Sequence, residues 1–263
     1  MWSGIGCAAS PPLGDEDAAR PTVVLLHGLA RRAASMDRMA QVLSEAGYHV
    51  CNVGYPSREH AIADLAAQVV APAVAACAPN PVVPVNFVTH SMGGIIVREL
   101  ARAASVQTLG RVVMLGPPNQ GSEVVDALGG WALFAAINGP AGGELGTSET
   151  SVPNLLGKAT FEVGVIAGNR SINWINSLMI PGVDDGKVSV SNTKLEGMQD
   201  FIVVHTSHPF LMKDRDVIEH TLHFLSTGCF AHEEAPLTDL LPCNPDVLPS
   251  LQSDAAPVSK QQR

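Results

Sequence analysis

Six short apolar runs alternate with helix-like stretches along the middle of this chain, and that alternation admits few architectures. The runs cover residues 22–26, 49–53, 82–89, 111–115, 161–167 and 201–204. Each is nearly continuous in its hydrophobicity, the pattern of a strand buried on both faces. Between them the spacing predicts a helix over 35–46, with Met36, Met39, Ala40 and Leu43 on one side, Ser35 as its N-cap and Gly47 as its stop. A long alanine-rich helix is expected over 59–77, kinked or shortened at Pro72, and further helices over 93–104 and 214–225. Strand–helix–strand units in series build a doubly wound, mostly parallel sheet with helices on both faces, an α/β domain.

Composition bounds what surrounds that domain. With 46% apolar and 16% charged residues in 263, the chain can fill a sizeable core and is not of the disordered class. Residues 1–20 read as a flexible lead-in and 231–263 as a Pro-rich acidic tail, which leaves the domain at 21–230. Sixteen basic residues against 25 acidic, with no Lys/Arg cluster, exclude nucleic acid as a partner. Five cysteines without a C-x-x-C pair provide no zinc site of the usual spacing. Cys229 and Cys243 are near enough in sequence to bridge, whereas Cys51 and Cys77 read as free thiols in apolar surroundings. No run of 18 apolar residues is present. The start carries no complete export signal, so cytoplasmic residence is the default expectation. Ile5-Gly6-Cys7 resembles the end of a lipoprotein signal whose front is missing, which makes export the alternative if the N-terminus is truncated.

The alternation breaks at 117–160, a glycine-rich stretch that holds the apolar run 131–137. An insertion after a parallel strand makes either a lid or pocket wall at the carboxyl edge of the sheet, or a surface helix packed on the core. The first is favoured, because ligand sites lie at that edge and are lined mainly by apolar groups. Trp131, Leu133 and Phe134 are then the candidate substrate-binding residues.

Thr89-His90-Ser91-Met92-Gly93-Gly94 lies where a strand gives way to a helix. A serine at so sharp a turn presents its hydroxyl above the sheet, and the small residue two positions on avoids a collision with the helix start. The helix N-terminus beneath it favours developing negative charge. The plain alternative is a serine N-cap on a buried helix.

With these residues the chain resembles an α/β-hydrolase of the bacterial lipase/esterase type over about residues 21–228. The resemblance rests on the His27-Gly28-Leu29 turn, the Ser91 elbow, the run Leu115-Gly116-Pro117-Pro118-Asn119-Gln120-Gly121-Ser122, Asp185-Gly186-Lys187-Val188 and the His208 loop. Thr89 departs from the family's first elbow glycine, and Pro117 from its threonine. The resemblance implies a Ser-acid-His triad and an oxyanion hole made by the backbone N–H groups of Leu29 and Met92.

For the acid, Asp185 is favoured over Asp184 because it precedes glycine as the family's acid does, although two aspartates in a turn are also ordinary turn chemistry. Asp126 and Asp200 are the remaining acids considered. For the base, His208 is favoured over His205 because a loop histidine can swing over the serine. His27 is expected to bond the backbone of its own loop. The pairs His205/His208 and His220/His223 have ligand-like spacing but no fitting Cys or acid, so no metal is expected.

The implied activity is that of a serine carboxylic-ester hydrolase acting through an acyl-enzyme, without a cofactor, on small-molecule or lipid esters with apolar acyl parts. An acyltransferase with the same triad and a non-catalytic binding protein on this fold are the alternatives. Contact with a lipid interface remains compatible with either enzyme.

Overall fold

The computed structural model describes residues 20–80, 82–106, 108–128, 132–172 and 179–232, with the backbone alone for 132–135. Most of the expected lead-in and tail, Cys7 and Cys243 included, therefore lies outside the described residues.

The six strands are β1 (Thr22–Leu26), β2 (His49–Val53), β3 (Val85–His90), β4 (Leu109–Leu115), β5 (Val163–Gly168) and β6 (Asp200–Val204). They form one sheet in the order β2-β1-β3-β4-β5-β6, every neighbour parallel. The third strand starts at Val85 and not at Val82, which is 78% exposed, because Pro84 has no N–H to give the ladder. The direction of winding reverses between β1 and β3, and at such a switch the strand ends diverge and leave a crevice. Leu26 pairs with Thr89, so the loops leaving β1 and β3 meet at that crevice.

The helices are α1 (Asp37–Glu45), α2 (Ile62–Asp64), α3 (Ala71–Cys77), α4 (Met92–Arg102), α5 (Glu123–Leu128), α6 (Ala132–Gly143), α7 (Val152–Leu155), α8 (Val190–Thr193) and α9 (Arg215–Thr227). Both sheet faces are covered. Val24, Leu26, Phe87 and Met114 pack with Ile95, Ile96 and Leu100 of α4 on one side. On the other, Val23, Leu25 and Val113 meet Met39 and Leu43 of α1 and Phe224 of α9. The alternation of successive residues between two buried faces is why the runs are continuously apolar.

Local chemistry revises several expectations. Ser35 does not cap α1: a 3-10 turn over Ala33–Met36 precedes the helix, and the Ser35 hydroxyl donates back to the Arg32 carbonyl. The long helix begins at Ile62, and between α2 and α3 it widens into a π segment, Leu65–Val70. Pro72 removes the N–H that Gln68 would accept, and the segment absorbs the break with a wider turn in which the Ala71 N–H reaches Ala66. At α9 the Asp214 carboxylate accepts the Asp216 and Val217 amides, and Gly228 in the left-handed region ends the helix.

Cys51 and Cys77 are not free thiols but a disulfide joining the edge strand β2 to the end of α3, their Cα atoms 6.3 Å apart. His49 Nε2 lies 3.6 Å from Cys51 Sγ, yet sulfurs bonded to one another leave no thiolate to bind a metal. Among the described residues Cys229 has no disulfide partner, and Cys243 lies outside them. Among the described residues no helix is long and apolar enough to cross a membrane.

The 117–160 stretch contains α5, α6 and α7, with α6 bent at Gly139. Polar ties from Arg98 and Ile62 hold it to the domain. The Arg98 guanidinium, buried in α4, donates to the carbonyls of Asn119, Pro153 and Gly157. The Ile62 amide donates to Glu144, and within the stretch Asp126 accepts from both the amide and the hydroxyl of Thr147.

Candidate active site

Ser91 occupies the turn between β3 and α4 with φ 52° and ψ −122°, a conformation that costs a non-glycine residue about 1–3 kcal/mol. Two bonds hold it there, the Ser91 amide to the Leu115 carbonyl at 2.8 Å and the Gly94 amide to the Ser91 carbonyl at 3.0 Å. Gly93 is demanded by space, since a Cβ there would stand 2.7 Å from the Leu26 carbonyl oxygen. Met92 begins α4, so its amide has no partner within the helix.

The loop after β1 is fixed from below by His27 and Tyr55. The Tyr55 amide donates to His27 Nε2 at 3.3 Å, which leaves the ring proton on Nδ1, 2.9 Å from the Gly28 carbonyl it serves. The two rings stack at 4.0 Å, and the Tyr55 hydroxyl donates to the His27 carbonyl. Burial lowers the pKa of His27, in keeping with this neutral form. Further along the loop the Ala30 amide donates to the Ser57 hydroxyl at 3.1 Å. No acceptor holds the Leu29 or the Met92 amide among the described residues, as an oxyanion hole requires.

His208 opens a 3-10 turn after β6, and its Nδ1 lies 2.7 Å from Asp185 Oδ2. The Asp185 side chain is fully buried, and its other oxygen accepts the Lys187 and Val188 amides, both at 3.0 Å. The His208 amide also donates to the Asp185 carbonyl, so the pair is held through side chain and backbone together. Gly116 makes room for it: a Cβ there would approach Asp185 Oδ2 to 3.0 Å and His208 Nδ1 to 3.1 Å. The backbone at Gly116 is also left-handed, with φ 56°.

The rival residues have other roles. Asp184 accepts the Gly186 amide at 2.7 Å in a local turn. Asp126 bonds Thr147, and Asp200 bonds Phe230 and His232. His205 is exposed and pairs with Asn169 at 3.0 Å. His220 and His223 are half-buried on α9, and His223 bonds the Cys229 carbonyl.

Ser91 and His208 line one pocket of about 290 Å³, at the small end for ligand sites. Leu29 and Val188 contribute apolar surface, and Val124, Val125, Asn138 and Leu145 bring the 117–160 stretch into its wall. Among the described residues no hydrogen bond joins Ser91 to the His208 ring; such bonds commonly tighten only with substrate. Of the expected substrate-binding residues, Trp131 lies outside the described residues, and Leu133 and Phe134 are described by their backbone in α6 alone.

Sequence reasoning missed His90. Its Nε2 donates to the His208 carbonyl at 3.0 Å and its ring lies 4.8 Å from that of His208, while its Nδ1 is buried without a partner. Burial, and then the neighbouring His208, drive its pKa well below the ordinary value, so the ring is neutral. Arg31 and Lys187 were missed too, and both line the pocket. No spacing rule points to them, because the groups they face lie in other loops.

A parallel sheet with its winding reversed at β1/β3, and a strained serine at the head of the helix that follows, belong to the α/β-hydrolase fold, and the chain has it. The lipase BlEst2 of Bacillus licheniformis shares it in its mature form (TM-score 0.61, 21% identity, 83% of this chain and 96% of that one). Its propeptide form gives TM-score 0.63 and 22% identity over 83% of this chain and 53% of that one. The phospholipase PlaB from Legionella pneumophila gives 0.58 and 18% over 72% and 53%. This chain thus spans about half of the propeptide form and of PlaB. No protein-family model and no curated protein matches the chain.

Proposed function

We propose that the chain is a serine carboxylic-ester hydrolase of the lipase/esterase class. The observation that carries this reading is the buried Asp185–His208 pair facing the same pocket as the strained Ser91 at the switch point of the sheet. The lipase, phospholipase and esterase among the structures of like fold are in keeping with it.

In the reaction His208 Nε2 takes the Ser91 proton as Oγ bonds the acyl carbon, and the carbonyl oxygen becomes an alkoxide facing the Leu29 and Met92 amides. The C–O bond to the alcohol then breaks, and that alcohol leaves with the proton from His208. Water repeats the sequence on the acyl-enzyme, with His208 as base, and releases the acid and Ser91. Asp185 holds the ring with its proton on Nδ1 and stabilises the imidazolium. Val124, Val125 and Leu145 favour an apolar acyl chain, with the 117–160 stretch as wall or lid.

Ser91→Ala tests the assignment. Hydrolysis of short 4-nitrophenyl esters is expected to vanish while the thermal melt is unchanged, and a fluorophosphonate probe should label wild type alone. Retained turnover in the variant refutes the nucleophile. A chain-length series, measured below and above substrate solubility, separates a lipase that responds to an interface from an esterase that does not.

A further inference from the structure

Among the described residues the pocket at Ser91 is lined by two cations and by no carboxylate, in a chain that has 25 acidic residues against 16 basic. Arg31 stands two positions beyond Leu29, on the loop after β1, and Lys187 two beyond Asp185. The Asp185 carboxylate is already occupied by His208 and two amides. Neither cation has an ion pair or a side-chain hydrogen bond among the described residues, whereas Arg102, Arg111 and Arg215 each have an acid. Both side chains are exposed, yet partial desolvation, and then the charge of Arg31, hold the Lys187 ammonium below its ordinary pKa against the opposing charge of Asp185, so the two cations act within one field. Like charges lining one cleft repel, and an anion seated between them is attracted by both.

We infer that the pocket selects amphiphilic esters carrying an anionic oxyacid group, a carboxylate or a phosphate, seated between Arg31 and Lys187 while the apolar chain lies against Val124, Val125 and Leu145. The inference rests on the ester-hydrolase reading of Ser91 and narrows its substrate class. It also adds a charge to the esters with apolar acyl parts expected from the sequence: chain and charge take different parts of one pocket.

Two matched pairs of esters test this. 4-Nitrophenyl hydrogen adipate against 4-nitrophenyl hexanoate places the charge on the acyl side; 1-acylglycerol 3-phosphate against 1-acylglycerol places it on the alcohol side. The readout is the ratio of kcat/KM for the anionic over the neutral member, in wild type, Arg31→Gln, Lys187→Gln and the double variant. Wild type is expected to prefer the anionic member about tenfold or more in at least one pair, and that pair assigns the source of the anion. Each single substitution should cut the ratio about three- to tenfold, and added salt should lower it in wild type most and in the double variant not at all.

A ratio near one in both pairs, or a preference that survives in the double variant, overturns the inference. Turnover of the neutral esters that Ser91→Ala abolishes keeps the hydrolase reading intact in either event. Neutral turnover unaffected by Ser91→Ala defeats that reading, and this inference with it.

Discussion

Asp185→Asn is the substitution that most sharply separates a catalytic acid from turn chemistry. In the structure Asp185 Oδ1 accepts two backbone amides and Oδ2 faces His208 Nδ1 at 2.7 Å. Asparagine has the same shape, and its one oxygen can keep the two amides. Its NH2 then faces Nδ1, which must become an acceptor, so the ring proton moves to Nε2 and His208 can no longer take the Ser91 proton. Serine-protease relays lose about 10⁴-fold in kcat from this change, or about 5.5 kcal/mol of barrier. The same loss is expected here, with a melting temperature changed little. Asp184→Asn is the control, because its amide oxygen still accepts from Gly186, whereas the carboxylate at His208 Nδ1 is that of Asp185. Steady-state hydrolysis of a 4-nitrophenyl ester, with thermal melts of all three proteins, reads both effects. An Asp185→Asn protein within tenfold of wild type, or an Asp184→Asn protein equally impaired, refutes the relay.

Three further outcomes concern stability. His27 and His90 have pKa values lowered chiefly by burial, so below about pH 6.5 the unfolded chain binds protons that the fold does not. Stability should therefore be full above that pH and fall beneath it by up to about 1.4 kcal/mol per histidine per pH unit, read as a declining Tm that is shallower in His90→Asn; a flat Tm between pH 6.5 and 5.5 contradicts this. Arg98→Met should cost about 3 kcal/mol or more in denaturant titrations, because it strips donors from the buried carbonyls of Asn119 and Pro153 and from that of Gly157. Reducing the Cys51–Cys77 bridge reopens a loop of sequence separation 26, worth about 3.5 kcal/mol on chain entropy, and should lower Tm by roughly 10 °C; an unchanged Tm after reductant counts against a bridge that stabilises the fold.

Much of the architecture was legible because strands buried on both faces must be apolar at every position. Each of the six strands overlaps the run that predicts it, and the ends shift by at most three residues, at β3 because Pro84 lacks an N–H. The same holds for the elbow, since a strand, a serine and a small residue two positions on describe a local turn whose geometry Gly93 enforces. Asp185 and His208 were legible only as preferences between neighbours. What separates Asp185 from Asp184, or His208 from His205, is the direction in which each side chain leaves its loop.

By itself, then, the sequence determined the parallel α/β order, the turn that presents Ser91 and the classes of residue available to serve it, all properties of short stretches of chain. The tertiary structure alone decided which acid meets which histidine. It also placed His90 beneath His208, closed the Cys51–Cys77 bridge across 26 positions, and brought Arg31 and Lys187 to one pocket. Those are encounters between loops far apart in the chain, set by strand order and by the crevice at the β1/β3 switch, and no local pattern encodes them.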